Sequence, residues 1–519
     1  MREEFQNDPQ PKVDKPAWIV TLLAMALLLS SCAKKPDPET LVMVIESSPT
    51  NLDPRVGIDG QSERIDDLIF DDLLRRDDHL NVQPNLADHW ELKDPLTYVF
   101  HLRHGVRFQD GRPLTSRDVK WSFDSLLQGK VRSTKAATYR FVDHIETPDD
   151  FTVVFRMKEP SSTLPWNLCG AMGIVPYGAS ADDMSRHPIG SGPFRFVSAQ
   201  MDKEVIIERN DGYWGTKPKL KRVRFAVVPD TITRALELRK GSADLAIDAL
   251  TSDMVLALQH EPNLKVLQAP GTVLAYIGFN LRDPVLKDVR VRRALAYAID
   301  RRPLIHYLWR DFARPAASIL PPESWAYDAN VATYEYNPER ARQLLDAAGY
   351  PAVNGVRFHL TMKTSTEESS RLMAAVFQQQ LREVGIALDI RTFEFATFFS
   401  DVTHGQFEMY SLRWIGGNED PDLFEHVFYS ESIPPKGADR GYYANPRVDE
   451  LIDAGRRETN LAKRRAIYGE LQRILAEDLP YINLWYLDNV LVTSQRVANA
   501  AVRGSGSYDF LTTAELRAQ

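Results

Sequence analysis

The residues able to do chemistry in this chain form no catalytic constellation. Ile189-Gly-Ser-Gly-Pro-Phe194 is the nearest approach to a nucleophile elbow, the sharp turn that lifts a serine hydroxyl clear of its strand, but its spacing is wrong. It also lacks the third glycine of a dinucleotide fingerprint and any phosphate-loop lysine. Eleven histidines are scattered along the chain, no His-Glu-x-x-His occurs, and the pair His101 and His104 has no third ligand at metal spacing. His101 reads more readily as a hydrogen-bonded strand residue than as a ligand. The acidic pairs Asp71-Asp72 and Asp77-Asp78 read as solvated faces. The two cysteines, Cys32 and Cys169, exclude a disulfide-dense scaffold and a multi-cysteine zinc site. These residues give no reason to expect an enzyme, a cofactor or a metal.

The amino-terminal segment carries an address. Residues 1–16 are polar, and an uncharged run of thirteen residues follows, Ala17-Trp-Ile-Val-Thr-Leu-Leu-Ala-Met-Ala-Leu-Leu-Leu29. A membrane span needs ~20 apolar residues. The shorter run fits the apolar region of an export signal. Leu29-Ser-Ser-Cys32 then resembles the bacterial lipobox, in which the cysteine is lipidated and becomes the first mature residue. Residues 1–31 are therefore expected to be a lipoprotein signal peptide, Cys32 the lipid attachment site and 32–40 a charged, Pro-containing tether. The mature chain would sit in the cell envelope, on its periplasmic or cell-surface face, lipid-anchored to a membrane. With Cys32 acylated, Cys169 has no partner for an intrachain disulfide.

At 519 residues the chain is long enough for about three domains of ~100–200 residues each. It is 44% hydrophobic and 26% charged, the composition of a soluble globular protein. A net charge of −8 argues against a nucleic-acid binder. Helices and strands alternate, which indicates a mixed α/β protein. Leu41–Ile45 and Tyr98–Leu102 read as buried strands, with a tight turn at Asp110-Gly111. Thr115 and Asp118 resemble a capping box that starts a helix, with Val119, Phe123, Leu126 and Leu127 along one face. Val291, Leu295, Ala298 and Ile299 mark another apolar stripe. Asn337-Pro338 opens a helix that Gly349 closes. Leu372, Val376, Gln380 and Val384 follow helical spacing, and Ile386, Leu388 and Ile390 alternate as a strand.

Several segments together resemble the family 5 extracellular solute-binding proteins, the peptide, nickel and related substrate-binding components of bacterial ABC importers. The fullest match contains Pro84-Asn-Leu-Ala-Asp-His-Trp90, Tyr98-Val-Phe-His-Leu-Arg-His-Gly-Val-Arg-Phe-Gln-Asp-Gly111 and Asp118-Val-Lys-Trp-Ser-Phe123. Gly190-Ser-Gly-Pro-Phe194, Asn210-Asp-Gly-Tyr-Trp214 and the run from Asp288 to Asp300 follow in order. The helix at Asn337–Gly349 and Tyr443-Ala-Asn-Pro-Arg-Val-Asp449 complete the set.

The resemblance implies a two-lobed α/β periplasmic-binding-protein clamshell, type II-like, with an extra domain inserted in lobe one. Lobe one would combine residues 36–66, 185–272 and 490–519, with the inserted domain at 67–184. Lobe two would be 273–489, hinged near Thr272 and Asn489. Such a protein is expected to capture a peptide or similar small polar solute by lobe closure and deliver it to an ABC permease in the membrane, as a monomer with no nucleic acid and no cofactor. Gly111, Gly192 and Trp90 are expected to be turn and packing residues. The ligand contacts implied are Glu46, Ser48 and Pro49 after the first strand, Tyr276 where an extended ligand pairs as an added strand, Phe395, and the segment holding Arg413, Trp414, Gly417, Asn418 and Glu419. For Phe395 and Trp414, plain core packing is the alternative.

One position departs from the family pattern. Many peptide-binding relatives place an aspartate three residues after this tryptophan, paired with the ligand's amino terminus. Here that place holds Gly417. A buried ammonium needs a carboxylate, and Glu419 or Asp420 are the substitutes at hand, although Asp420-Pro421 resembles the family's structural turn. Two alternatives from other classes stay open: a lipoprotein of the same fold acting as a sensor or chaperone-like binder, and a secreted hydrolase.

Overall fold

The computed structural model describes residues 38–77, 80–170, 172–415 and 420–517. The expected signal peptide, Cys32 and most of the tether lie outside the described residues, as do Gly417, Asn418 and Glu419. Among the described residues, no helix is long and apolar enough to cross a membrane.

Two large mixed sheets organise the chain. The first has seven strands, in the order Leu264–Ala269, Asn489–Ser494, Leu245–Ile247, Thr40–Ile45, Arg222–Val227, Glu204–Arg209 and Phe194–Gln200. Thr40–Ile45 is buried at every position because it lies mid-sheet, parallel to both its neighbours. The second sheet has six strands, in the order Ala313–Pro315, Tyr481–Leu487, Leu274–Phe279, Met409–Trp414, Phe358–Ser365 and Ile386–Phe393. A separate four-stranded antiparallel sheet orders Ala87–Asp94, Thr97–Leu102, Thr152–Met157 and Val142–Asp149. Each sheet has its own hydrophobic core.

The four-stranded sheet is keyed onto the seven-stranded one through a single buried carboxylate. Asp71 accepts hydrogen bonds from Ser191 Oγ (2.9 Å), Trp214 Nε1 (2.9 Å) and the Tyr213 hydroxyl (3.3 Å). Gln109 Nε2 donates to the carbonyls of Ile69 (2.9 Å) and Phe194 (2.7 Å). Three of the sequence motifs thus converge at one point, and their role there is structural. The reading of Asp71 as part of a solvated face is corrected. A carboxylate with three donors around it is held inside the protein, because those bonds replace the water it loses.

The chain crosses between the two large sheets at residues 270–273 and at Asp488, and the crossings touch. A Cβ at Gly271 would meet the Leu487 carbonyl at 2.3 Å, and Leu487 N donates to Val273 O (2.8 Å). Arg314 Nη2 donates to Gly271 O (2.8 Å), tying the six-stranded side to the crossing. Two lobes joined by two adjacent strand-like passages form a clamshell.

The local signals mostly hold. Asp118 Oδ2 accepts from Thr115 N (2.7 Å) and starts the helix Ser116–Leu127, and Asn337 Oδ1 accepts from Arg340 N (2.9 Å) to start Pro338–Ala347. One stripe is rotated. On the helix Glu368–Glu383 the buried residues are Met373, Ala374, Phe377 and Leu381, and Leu372 is 50% exposed. Gln380 is instead spent on the backbone of Asp300, donating to its carbonyl and accepting from its N–H, both at 3.1 Å. Two stripes one residue apart obey the same 3.6-residue period, and only the partner sheet selects between them.

Candidate functional site

The lobes meet across a cleft. Ser162, from the four-stranded side, donates through its backbone N–H to Arg456 O (2.8 Å) and through Oγ to the same carbonyl (3.0 Å). Arg140 pairs with Glu425 at 3.4 Å. The Trp166 and Trp325 rings, one from each lobe, lie 5.4 Å apart, and the Arg464 guanidinium sits 4.9 Å from the first and 5.0 Å from the second.

Arg464 is the central charge of this contact. Its side chain is 1% exposed, its Nε donates to Gly455 O (3.0 Å), and its Nη1 and Nη2 have no hydrogen-bond partner among the described residues. Asp420 lies 3.6 Å away, accepts from Asp422 N (2.8 Å) through Oδ1 and leaves Oδ2 without a hydrogen-bond partner among the described residues. Burial raises the Asp420 carboxyl above its ordinary pKa, opposed by the charge of Arg464. The Asp422 contact is that of a turn, as expected for Asp420-Pro421. Buried polar atoms without partners are costly unless something completes them. Here they lie at the contact between the lobes.

On the lobe-one wall, Glu46 follows the strand Thr40–Ile45 and is exposed. Behind it Arg64, Asp248 and Asn489 surround one point: a Cβ at Gly506 would lie 3.4 Å from a terminal atom of each. Burial pushes Asp248 up to about 6, opposed by the Val490 N–H and by Arg64. Ser48 Oγ accepts from Asp202 N (2.7 Å), and Pro49 is buried, so both are held by their own lobe.

On the lobe-two wall, Trp414 stacks on Tyr276 (6.1 Å), which in turn stacks on Tyr481 (4.3 Å). Tyr276 has no exposed surface, and its hydroxyl accepts from Arg440 Nη1 (3.3 Å). Arg440 lies 5.3 Å from the rings of both Trp414 and Phe399, and Phe399 stacks with Phe395 at 5.9 Å. Phe399 and Trp414 thus share one cation, and Phe395, 54% exposed, joins the group only through its stack on Phe399. Strand alternation sends Arg413 to the other face, where it pairs with Glu367 at 3.4 Å. Arg464, Trp166 and Trp325 were not legible as site residues, since each sits in a local pattern that reads equally as packing. Among the described residues no group of three or more His, Cys, Asp or Glu could hold a metal ion. Cys169 is buried, donates to Pro165 O (3.1 Å), and is pushed up to about 12 by burial.

Comparison with known proteins agrees with this geometry. A family model described as bacterial extracellular solute-binding proteins, family 5 middle, matches residues 81–434. The dipeptide-binding protein of Escherichia coli is 26% identical, over 88% of this chain and 91% of its own. Heme-binding protein A of Haemophilus influenzae is 27% identical, over 89% of this chain and 92% of its own. The solved structure of the ABC transporter-associated periplasmic binding protein DppA from Helicobacter pylori, in complex with the peptide STSA, superimposes with a TM-score of 0.75 at 26% identity. It covers 92% of this chain and 98% of that one.

Proposed function

Because the chain belongs to the family 5 bacterial extracellular solute-binding proteins, we propose that it captures a peptide or similar small polar solute outside the cytoplasm and delivers it to an ABC permease. The observation that carries this reading is the interlobe contact in which the buried Arg464 guanidinium meets Trp166 and Trp325 and its Nη atoms have no hydrogen-bond partner among the described residues. A solute that satisfies them stabilises the closed state over the open one, which is what capture by closure requires. The reading includes no bond-breaking step.

Strand membership supports the division into lobe one (36–66, 185–272, 490–519), its inserted domain (67–184) and lobe two (273–489). Contacts to solute are assigned to Glu46, Phe395, Trp414, Gly417, Asn418 and Glu419, with Ser48, Pro49, Tyr276 and Arg413 shaping the walls behind them. The Leu29–Cys32 pattern supports export, lipidation at Cys32 and tethering to a membrane. Labelling with radioactive palmitate, compared with a Cys32→Ser variant, tests the anchor.

Native mass spectrometry of the exported protein tests the function. A retained mass that is lost on denaturation is the expected result, and a ladder of peptide masses identifies the solute class. Turnover of ester or peptide substrates by the same preparation, abolished by no treatment that spares the fold, would sink the reading.

A further inference from the structure

A second group of charges, with Asp66 buried among them, lies outside the contacts above, on lobe one. Beside the helix Gly60–Ile69, the carboxyl groups of Glu63, Asp66, Asp67 and Asp72 line one small pocket together with Lys135. Asp72 is already committed, accepting from Gly170 N (2.6 Å) and Met172 N (3.1 Å). Lys135 donates to Pro54 O (2.9 Å) and stands 3.8 Å from Glu63. Asp66 differs from all of these. It is 4% exposed, and neither of its carboxylate oxygens has a hydrogen-bond partner among the described residues.

Asp66 has no hydrogen bond to Lys135, the ammonium that lines the same pocket. Burial drives the Asp66 carboxyl well above the ordinary range, a strain that a cation bound beside it would remove. The free space is about 10 Å³ for the centre of a water-sized group. That admits a compact ammonium, whose size is close to that of water, but not a planar guanidinium or a whole side chain. The pocket also lies close to the contact between the lobes. Gly170 in its wall is four residues beyond Trp166, whose ring lies 5.4 Å from that of Trp325 on the other lobe.

We propose that this pocket receives a primary ammonium group of the captured solute, with Asp66 as its carboxylate partner. The proposal rests on the solute-binding reading and gives the ligand's positive end a site on lobe one.

The test is calorimetric titration of the exported protein, freed of retained ligand by unfolding and refolding. The probes are trialanine, N-acetyl-trialanine, 1,5-diaminopentane and potassium chloride. The expected result is trialanine binding ~10-fold or more tighter than its acetylated form, the size of a charged hydrogen bond in a buried site, with the difference abolished by Asp66→Asn. Binding of 1,5-diaminopentane but of neither peptide, lost in Asp66→Asn, supports the ammonium pocket while removing peptides as the solute class. Equal binding of the two peptides overturns the pocket and leaves the solute-binding reading standing. A difference that survives Asp66→Asn, a pocket saturated by potassium that trialanine does not displace, or no binding of any probe each overturns it. In the last case the mass of the retained ligand decides the solute-binding reading separately. Where Asp66→Asn does not fold, a crystal structure of the unaltered protein with trialanine decides the matter. An amino nitrogen within ~3.2 Å of Asp66 supports the proposal, and one placed elsewhere overturns it.

Discussion

The indole of Trp166 and the guanidinium of Arg464 lie 4.9 Å apart, although one belongs to the side of the four-stranded sheet and the other to a helix that packs on the six-stranded sheet. A contact made between the two lobes is one that their separation would break. A desolvated cation–aromatic pair contributes ~2 kcal/mol. Trp166→Ala is therefore expected to weaken solute binding ~10-fold or more, with a larger radius of gyration in X-ray scattering of the liganded protein. Unchanged affinity and size would show that closure does not draw on this pair.

The junction around Asp71 tolerates no added atom. A Cβ at Gly190 would lie 2.1 Å from the Ile69 carbonyl oxygen, a backbone atom that cannot swing aside. Gly190→Ala is expected to destabilise the protein by at least ~1–3 kcal/mol, the usual cost of overpacking. A fall in the urea midpoint with solute affinity retained below that midpoint is the expected pattern.

Asp439 gives stability a pH dependence of known sign. It is 2% exposed, Oδ1 accepts from Tyr443 N (3.1 Å), and burial pushes it up to about 7. An unfolded aspartate titrates near ~3.9, so across the interval up to about 7 the native state holds the proton that the unfolded state has lost. Its contribution is present in full below that interval and is lost as pH rises through it. In Asp439→Asn the decline in urea midpoint between pH 4 and pH 7 is expected to be shallower. An unaltered slope would show that the carboxyl does not titrate there.

Cys169 is expected to be inert in the folded protein, since burial holds its thiol up to about 12 and the thiolate is the reactive form. In a soluble form lacking residues 1–32, iodoacetamide should modify no thiol under native conditions and one after denaturation. Rapid native labelling would contradict the burial described.

Much of the fold was legible because its signals are short in range. Thr115 with Asp118, Asn337 with Pro338, and the apolar run to Ile45 each act within a few residues, and each produces the element its pattern implies. The helix Glu368–Glu383 shows where that reach ends. Leu372 and Met373 both satisfy the period, and the choice between them falls to the sheet beneath. Asp71 shows the same limit for charge: beside Asp72 it looks like solvent-facing surface, yet its partners come from Ser191, Tyr213 and Trp214, more than a hundred residues away.

The sequence by itself determined the family pattern, the order of the structural motifs and the expectation of a clamshell without catalytic groups, because glycines at turns, caps and apolar runs are local constraints. Only the tertiary structure decided which charges face one another across the cleft. Arg464 gains its meaning from Trp166 and Asp420, and Asp66 from a pocket whose other wall begins at Lys135 and Gly170. Whether a buried charge has a partner depends on every chain segment packed around it, and spacing along one segment carries no record of the others.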